Sequence, residues 1–431
     1  MNYAQTTQFL FNSFPSYQNA GPGAYKEGLA GITEMCKILD NPQRNYFTIH
    51  VAGTNGKGST SHILASILQQ AGYCVGLFTS PHLVDFRERI RVNGKPISER
   101  EVVDFVRKHR EKMVGLGLSF FEMTTAMAFH HFSQNDVEVA IIETGLGGRL
   151  DSTNIITPIL SVITNIGLEH TALLGSTIGE IAFEKAGIIK PEVPVVIGES
   201  HPESSPVFDH AAAERKAPIV YADKEWEVVD TEPSGRWNRY HIQRPRDGRT
   251  QILDLDLLGS YQRKNILTAR TAVSILRHHT HLNISTRALV EGIRTVCEST
   301  GLMGRWQRLG NNPTVICDTG HNADGLREIM EQLRHQTYRK LYMVIGMVSD
   351  KDFDAIIPLM PRDAHYIITA PSVARALPAE VLAEKFAHEG YECEVVEGVH
   401  AAYRHAISLS DPQDFIFIGG STFVVADLLS E

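Results

Sequence analysis

No apolar run in this chain approaches the roughly 18 residues that a membrane-spanning helix needs, so a membrane protein is not expected. The chain also has no excess of basic over acidic residues. The chain has 41 Lys and Arg against 50 Asp and Glu, a formal net charge of −9, which argues against a nucleic-acid or membrane-surface partner. The N-terminus lacks the basic start and apolar core of a signal peptide. These absences predict a soluble protein of the cytoplasm.

Cysteine is scarce and irregularly placed. The five cysteines at positions 36, 74, 297, 317 and 393 are odd in number and form no C-x-x-C pair. Reduced thiols in a cytoplasmic protein explain this pattern, and a zinc site is not expected. Internal repeats and low-complexity tracts are missing as well, which excludes a solenoid or a disordered linker protein.

The first part of the chain alternates short apolar segments with helical patterns. Buried strands are predicted at 46–51, 75–78, 137–142, 159–163 and 193–197. Helical patterns lie between them, including 61–70, 99–113, 121–132 and a helix opened by the capping box at Thr177–Glu180. This alternation predicts a mainly parallel sheet covered by helices on both faces.

The rest of the chain predicts two further features. Residues 224–258 are polar and end in alternating apolar positions, which indicates an antiparallel excursion from the main sheet. A second α/β series follows Gly301, with strands predicted at 314–317, 341–345, 365–369, 392–396 and 414–418. We therefore expect an N-terminal parallel-sheet domain over 1–300 and a Rossmann-like α/β domain over 301–431. The cleft between two such domains is the default ligand site.

A Gly-rich turn joins the first strand to its helix. Its residues are Gly53, Thr54, Asn55, Gly56, Lys57, Gly58, Ser59 and Thr60. Outward-pointing amides, the helix dipole and Lys57 would cradle a polyphosphate, and the two hydroxyls would reach a bridging Mg²⁺. The match to G-x-x-x-x-G-K-[ST] is imperfect, because Val51 stands at the first glycine and Gly58 follows the lysine. An ordinary βα turn with a solvated Lys57 is the alternative.

Three more loops follow predicted strands, where ligand loops of parallel sheets lie. Residues 79–83 hold Ser80 and a histidine, which alone would suggest only a Pro-containing turn. Glu143 opens a loop with three glycines and is well placed to hold a hard cation. The loop 164–170 ends in His170, which by itself is more simply a hydrogen-bonded structural residue.

Lys185 lies among apolar neighbours in the helix that follows these loops. Burial would depress its pKa and make the neutral amine available. The alternative is a lysine whose stem packs while its head reaches solvent.

Together these segments resemble the folylpolyglutamate synthase/dihydrofolate synthase family of the ATP-dependent Mur-type ligases. The segments that carry the resemblance are 53–59, 80–83, 145–151, 184–188, 262–265, 304–306 and 321–322. They follow the family order over most of the chain. Two positions depart from the pattern: Tyr261 stands where family members often have histidine, and the segment 318–323 lacks the alanine and proline that usually flank His-Asn.

The resemblance implies a two-domain ligase that holds ATP in the interdomain cleft with two Mg²⁺ ions. Metal ligands would be Ser59, Ser80, Glu143, His170 and Lys185, the last as a carbamylated lysine. Asn265, Arg305 and Asp318 would contact the nucleotide together with the Gly53–Thr60 turn. Residues bordering the pterin pocket would be Gly28, Leu29, Ser119, Phe120, Phe121, Glu122 and Asp151.

The implied reaction adds L-glutamate to dihydropteroate, to the glutamyl tail of folates, or to both. ATP would turn the substrate carboxylate into an acyl phosphate, with Lys57 and Mg²⁺ neutralising charge, and His321 is a candidate base for the attacking amine. The partners would be small molecules only, and the chain would be a monomer.

One alternative is a Mur-type ligase acting on a muramyl precursor, which the Gly-Lys-Gly-Ser form of the turn disfavours. Another is an ATP-binding switch without ligase activity, which the retention of Lys57, Glu143, His170 and Lys185 disfavours.

Overall fold

The computed structural model describes residues 1–14 and 28–430. The chain folds into two compact units. The first comprises 1–82, 86–256 and 262–302, and the second comprises 83–85, 257–261 and 303–431. Within the described residues, no helix combines the length and the apolar character needed to cross a membrane.

The first unit is built on an eight-stranded sheet. Its strands are β1 Phe47–Ala52, β2 Val75–Phe78, β3 Ile90–Val92, β4 Lys95–Pro96, β5 Val139–Glu143, β6 Leu160–Ile163, β7 Val195–Ile197 and β8 Ile219–Tyr221. The spatial order is β4-β3-β2-β5-β1-β6-β7-β8; the six strands from β2 to β8 in this order are parallel, and β3 and β4 are antiparallel at one edge. The predicted mainly parallel sheet is confirmed.

Helices connect these strands and cover the sheet. In chain order they are α1 Tyr3–Ser13, α2 Ala30–Ile38, α3 Lys57–Gln70, α4 Glu99–Gly115, α5 Phe120–Gln134, α6 Thr171–Leu174, α7 Ile178–Ala186, α8 Ser205–Glu214, α9 Ala222–Glu225, α10 Gln262–His279, α11 Thr286–Arg294 and α12 Val296–Thr300. Short 3₁₀ turns cover Pro42–Arg44, Phe86–Arg89 and Ser152–Ile155. The predicted capping box opens α7, where Thr177 Oγ1 accepts from the Glu180 amide.

The antiparallel excursion is a separate three-stranded sheet. It consists of β9 Glu227–Ser234, β10 Trp237–Arg244 and β11 Arg249–Leu255, in the order β11-β10-β9. Alternating positions of β10 and β11 are buried, including Tyr240, Ile242, Leu253 and Leu255. The prediction from the alternating sequence is therefore confirmed.

The second unit is built on a six-stranded sheet. Its strands are β12 Gln307–Asn311, β13 Thr314–Cys317, β14 Leu341–Ile345, β15 His365–Ile368, β16 Cys393–Val395 and β17 Phe415–Gly419. The order is β12-β13-β17-β14-β15-β16, and only β12 is antiparallel to its neighbour. Its helices are α13 Ala323–Arg334, α14 Phe353–Ile356, α15 Ala379–His388, α16 Val399–Leu409 and α17 Thr422–Leu429, with a 3₁₀ turn at Ile357–Leu359. Apolar clusters on both faces confirm the predicted Rossmann-like α/β arrangement.

Helix α3, which follows the Gly-rich turn, is buried on all sides along most of its length. Gly292 of α11 packs so closely that a Cβ there would overlap the backbone of Ile67. Ser66 Oγ donates to the Gly292 carbonyl at 2.6 Å. These contacts hold α3 in place, and with it the Gly-rich turn that precedes the helix.

Candidate active site

Four neighbouring strands bring the predicted site loops to one edge of the first sheet. The strands are adjacent in the order β2, β5, β1, β6, and all are parallel. Val51 lies opposite Glu143, and Ala52 opposite Ile163. The loops that follow these residues therefore start at the same level, at the carboxyl edge where ligands of α/β sheets bind.

The Gly-rich turn is braced by the loop that follows β6. The Thr54 amide donates to the Asn165 carbonyl at 2.9 Å, and the Asn55 amide to Asn165 Oδ1 at 2.8 Å. Thr164 Oγ1 donates to the Asn55 carbonyl at 2.6 Å. A Cβ on Gly53 would overlap Thr164 Oγ1, so the close approach of the two loops requires glycine there.

Two lysines donate to one carbonyl oxygen of this turn. Lys57 Nζ lies 2.9 Å from the Gly53 carbonyl oxygen and 3.1 Å from that of Thr54. Lys185 Nζ lies 2.9 Å from the same Gly53 oxygen. The head of Lys185 is therefore inside the protein, and the alternative in which it reaches solvent is wrong. Lys57 also bonds to the turn, which disfavours a merely solvated side chain.

Burial lowers the pKa of Lys185 to about 7, and repulsion by Lys57 acts in the same direction. Attraction from Glu169 and Asp151 opposes this effect but is smaller. The residue is 4% exposed. At neutral pH a large share of this group is therefore the neutral amine, the form that reacts with electrophiles.

Most of the predicted metal ligands are oxygen donors, and Ser80, Glu143 and His170 lie at the end of one of these strands or in the loop that follows it. Glu143 ends β5 and is buried, and its Oε2 accepts from the Ser80 amide at 3.4 Å. Ser59 is buried in the first turn of α3. His170 has a left-handed backbone, with φ of 54°, directly before α6. Hydroxyl and carboxylate oxygens are the donors that Mg²⁺ prefers.

The described residues contain no group of three His, Cys, Asp or Glu side chains that could hold a metal ion by themselves. The predicted ligand set contains only Glu143 and His170 of those types. A set of this kind fits an ion that takes much of its coordination from phosphate oxygens and water, which is how Mg²⁺ is usually held beside nucleotides.

Gln262, at the start of α10, joins two of the predicted site residues. Its Nε2 donates to Ser59 Oγ at 3.1 Å, and its Oε1 accepts from Asn265 Nδ2 at 2.8 Å. Asn265 Oδ1 in turn lies so near Gly56 that a Cβ there would overlap it. The sequence placed Gln262 within the 262–265 motif but assigned it no role.

Asp151 organises the loop that follows β5. Its Oδ2 accepts from the amides of Gly145 and Leu146, each at 2.8 Å. Its Oδ1 accepts from the Thr153 amide at 3.0 Å and from the Thr153 hydroxyl. Both carboxylate oxygens are thus used by the chain itself, so the structure gives Asp151 a loop-folding role. Its predicted contact with the pterin stays a prediction.

We expect Asp151→Asn to lower the free energy of unfolding by about 1–3 kcal/mol, because an amide NH₂ would face backbone donors that now meet an oxygen. Urea unfolding followed by circular dichroism measures this change. Asp363 is exposed, so Asp363→Asn serves as the control. Its free energy of unfolding should stay within about 0.5 kcal/mol of that of the wild type. Equal stability of both variants would contradict the loop-folding role.

The segment Ser119–Glu122 is a helix cap as well as a predicted pocket border. Ser119 and Glu122 form a capping box at the start of α5, and Glu122 Oε1 also accepts from the Ile32 amide at 3.1 Å. Phe120 is buried in the apolar core. Phe121 is only partly buried, and a Cβ on Gly145 would lie 2.6 Å from its ring. Within this segment, Phe121 is the residue that faces the loop after β5.

Gly28 and Leu29 are the other predicted border residues in this unit. They lie directly before α2, where Gly28 has φ of +103° and Leu29 is the N-cap residue. Leu29 packs against the apolar core that also contains Phe120. The two segments assigned to the pterin pocket are therefore neighbours in the first unit.

Asp318 is the best-connected predicted site residue of the second unit. It directly follows β13 and is buried, and its Oδ2 accepts from the Tyr261 hydroxyl at 2.6 Å and from the Trp306 amide at 2.7 Å. Its Oδ1 accepts from the Gly320 amide at 2.8 Å. Burial raises the pKa of Asp318, and the nearby Arg305 guanidinium together with these hydrogen bonds opposes that rise. Tyr261, a departure from the family pattern, thus holds Asp318 in place.

His321 lies three residues after Asp318. Its Nδ1 lies 2.9 Å from the Thr319 carbonyl oxygen. Because a carbonyl oxygen only accepts, Nδ1 carries the proton, and in the neutral ring Nε2 carries the lone pair. This tautomer is the one that a base acting through Nε2 requires.

Two family models match this chain, and both describe Mur ligases. The Mur ligase middle domain matches residues 51–273, and the Mur ligase glutamate ligase domain matches residues 304–422. Together with the Gly-rich turn at the edge of a parallel sheet, they define the class as ATP-dependent Mur-type ligases.

The chain is also similar to individual proteins over its full length. It is 31% identical to the folylpolyglutamate synthase of Lacticaseibacillus casei, over 99% of this chain and 97% of that protein. The structure of E. coli FolC in complex with DHPP and ADP matches with a TM-score of 0.85 and 29% identity, covering 100% and 97% of the two chains. A bifunctional folylpolyglutamate synthase/dihydrofolate synthase with Mn, AMPPNP and L-glutamate bound matches with a TM-score of 0.83 and 30% identity, covering 100% and 98%. The chain belongs to the folylpolyglutamate synthase/dihydrofolate synthase family of Mur ligases.

The predicted family and the predicted enzyme class, an ATP-dependent ligase, are confirmed by these matches. The full-length similarity to folylpolyglutamate synthases favours this interpretation over a muramyl-precursor ligase.

Proposed function

We propose that this chain uses ATP to join L-glutamate to a pterin-type carboxylate, that of dihydropteroate, of a folate glutamyl tail, or of both. The observation that carries the proposal is the pair of lysines on the Gly53 carbonyl, which puts Lys57, the lysine proposed to bind phosphate, beside a buried amine of low pKa. The molecules bound in the similar proteins support this reaction: AMPPNP and L-glutamate in one correspond to ATP and the amino acid, and ADP, bound with DHPP in another, is the nucleotide product.

In this proposal ATP is held by the Gly-rich turn and by three further residues that the family resemblance assigns to the nucleotide. The turn residues Gly53 to Thr60 contact the phosphates, and Asn265, Arg305 and Asp318 contact the rest of the nucleotide. The ATP-binding domain covers residues 1–300 and the glutamate-ligase domain 301–431. Support comes from the braced geometry of the turn and from the separate matches of the two Mur ligase models.

The chain's own groups supply charge neutralisation and proton transfer. The substrate carboxylate attacks the γ-phosphorus of ATP, ADP leaves, and an acyl phosphate forms. Lys57 and the turn amides offset the negative charge that develops on the transferred group. The unprotonated amine of glutamate then attacks the acyl carbonyl, phosphate leaves, and His321 Nε2 takes the amine proton.

Two divalent cations, Mg²⁺ in this proposal, belong to the same site. When bound, they neutralise phosphate charge and orient the reacting groups. Ser59, Ser80, Glu143 and His170 would hold them together with a carbamate on Lys185. That carbamate forms when the neutral Nζ attacks CO₂, a C–N bond forms and one proton is released. The low pKa of Lys185 supports this step, since a protonated amine has no lone pair to offer.

The test is ADP release in the presence of ATP, Mg²⁺ and L-glutamate. Dihydropteroate and tetrahydrofolate are each added as acceptor, with a UDP-muramyl precursor as the comparison. We expect strong stimulation by one or both pterins and none by the muramyl compound. Stimulation by none of the three would favour an ATP-binding switch and would contradict the proposed reaction.

The proposal also includes a cytoplasmic monomer that works on small molecules. Gel filtration with light scattering would measure the mass of the particle against the 47.9 kDa of one chain. A stable dimer would overturn the monomer assignment without affecting the proposed chemistry.

A further inference from the structure

An arginine cluster lies beside the three-stranded sheet, and none of its members is among the residues assigned to the ligase site. It consists of Arg249 at the start of β11 and of Arg270 and Arg277, which lie seven residues and about two turns apart on α10. Arg270 is 5% exposed, Arg277 is half-buried and Arg249 is exposed. The cluster therefore runs from the protein interior to the surface.

The two helical guanidiniums are anchored at one nitrogen each. Arg270 Nε donates to Gln251 Oε1 at 2.9 Å, and its guanidinium carbon lies 4.5 Å from the ring centre of the buried Trp226. Arg277 Nε donates to the Ile284 carbonyl at 2.6 Å. Arg270 Nη1 and Arg277 Nη2 are both buried and meet no hydrogen-bond partner among residues 1–14 and 28–430. Buried charged donors of this kind are costly unless a partner satisfies them.

The charge around the cluster is unbalanced. The carboxylates of Asp247 and Glu225 act on the neighbouring Arg244, and each is already paired with an arginine outside the cluster. Asp247 pairs with Arg244, and Glu225 lies 3.8 Å from Arg246. In the described part of the chain, no ion pair joins a carboxylate to any of the three cluster arginines. Burial and repulsion from Arg277, Arg249 and Arg244 lower the pKa of Arg270 to about 10. The repulsion that the other arginines exert on Arg270 is therefore not offset by an ion pair within the cluster.

We propose that the arginine cluster is a binding site for a phosphate-type oxyanion. Guanidinium groups present paired N–H donors that match the oxygens of phosphate, and the buried donors of Arg270 and Arg277 supply the desolvated contacts. Arg249 is the exposed member of the cluster. The oxyanion comes from inorganic phosphate or from the phosphoryl group of a nucleotide, and both offer the same chemistry to the cluster.

The test is calorimetric titration of the full chain with its nucleotide site first filled by AMPPNP and Mg²⁺. Sodium phosphate is the titrant in one arm and AMP in the other, at constant ionic strength set with chloride. We expect saturable binding in at least one arm, weakened at least about tenfold by Arg249→Gln and by Arg277→Gln. The arm that shows binding identifies the source of the oxyanion.

The matched control is Arg239→Gln, since Arg239 lies on the same three-stranded sheet but is paired with Asp254 at 2.8 Å. It should leave the titration unchanged. Arg249 is exposed, so its variant is expected to fold even if loss of the Arg277 bond to Ile284 destabilises the other. Binding that is absent in both arms, or equal in wild type and both cluster variants, would overturn the site. Ligase turnover at low phosphate is expected to be unaffected in Arg249→Gln, so this test is independent of the proposed reaction.

Discussion

Replacement of Lys57 by alanine is expected to reduce ATP-dependent ligation by at least about 10²–10³-fold while the fold stays intact. The lysine is the only side-chain cation of the Gly-rich turn, and its ammonium lies on the turn carbonyls rather than in the core. Its loss removes charge neutralisation during phosphoryl transfer but leaves no cavity in the sheet. Rates of ADP release at saturating substrates, with circular dichroism as the check on folding, measure both parts of the expectation.

Lys37→Ala is the control for this experiment. Lys37 is an exposed lysine paired with Glu34 at 3.1 Å, so its loss should change neither activity nor stability appreciably. Substantial turnover in Lys57→Ala would show that the turn does not hold the transferred phosphate.

The second large effect is expected at Lys185. Lys185→Met keeps much of the length and the apolar stem but removes the amine, so no carbamate forms, and we expect a loss of ligation of about 10²-fold or more. Wild-type activity should fall in buffers stripped of CO₂ and return with bicarbonate. Carbon-13 NMR with labelled bicarbonate would detect the carbamate directly, and its signal should be missing in Lys185→Met.

The pH dependence of this activation follows from the depressed pKa of about 7. Below that value the amine is protonated and does not react with CO₂, so activation by bicarbonate should rise from about pH 6 to about pH 8 and level off above. A lysine of ordinary pKa would still be gaining reactivity at about pH 10. If wild-type activity does not depend on CO₂ and Lys185→Met is still inactive, the lysine has a different role in the site.

The sequence predicts the buried strands of both units well. Strands 75–78, 314–317 and 341–345 are predicted at their observed bounds. A short run of apolar residues bounded by turns is typical of a buried strand in an α/β chain. The strands that the sequence pattern missed are β3, β4, β8 and β12, which lie at or next to sheet edges and have at most five residues. Their pairing depends on tertiary neighbours and leaves little periodic signal.

Part of the site can be predicted from the order of the strands, but the contacts of other site residues cannot. Loops that follow parallel strands must meet at one edge, so Gly53, Glu143 and His170 could be grouped from the chain order. Gln262 could not be assigned in this way, because its bond to Ser59 joins residues 203 positions apart. The two oxygens of Asp151 likewise face amides of its own loop, and only the folded backbone shows where those amides point.

The pairing of β1 between β5 and β6 also limits how the chain can change. One residue added within β1 would shift Gly53 by about 3.3 Å along the sheet. The hydrogen bonds of 2.6–2.9 Å between its turn and residues 164 and 165 would then be lost. A substitution inside the same strand changes only local packing and leaves the turn where it is. Apolar side chains of similar volume can therefore replace one another in these buried strands, whereas a change in the number of residues would displace the turn.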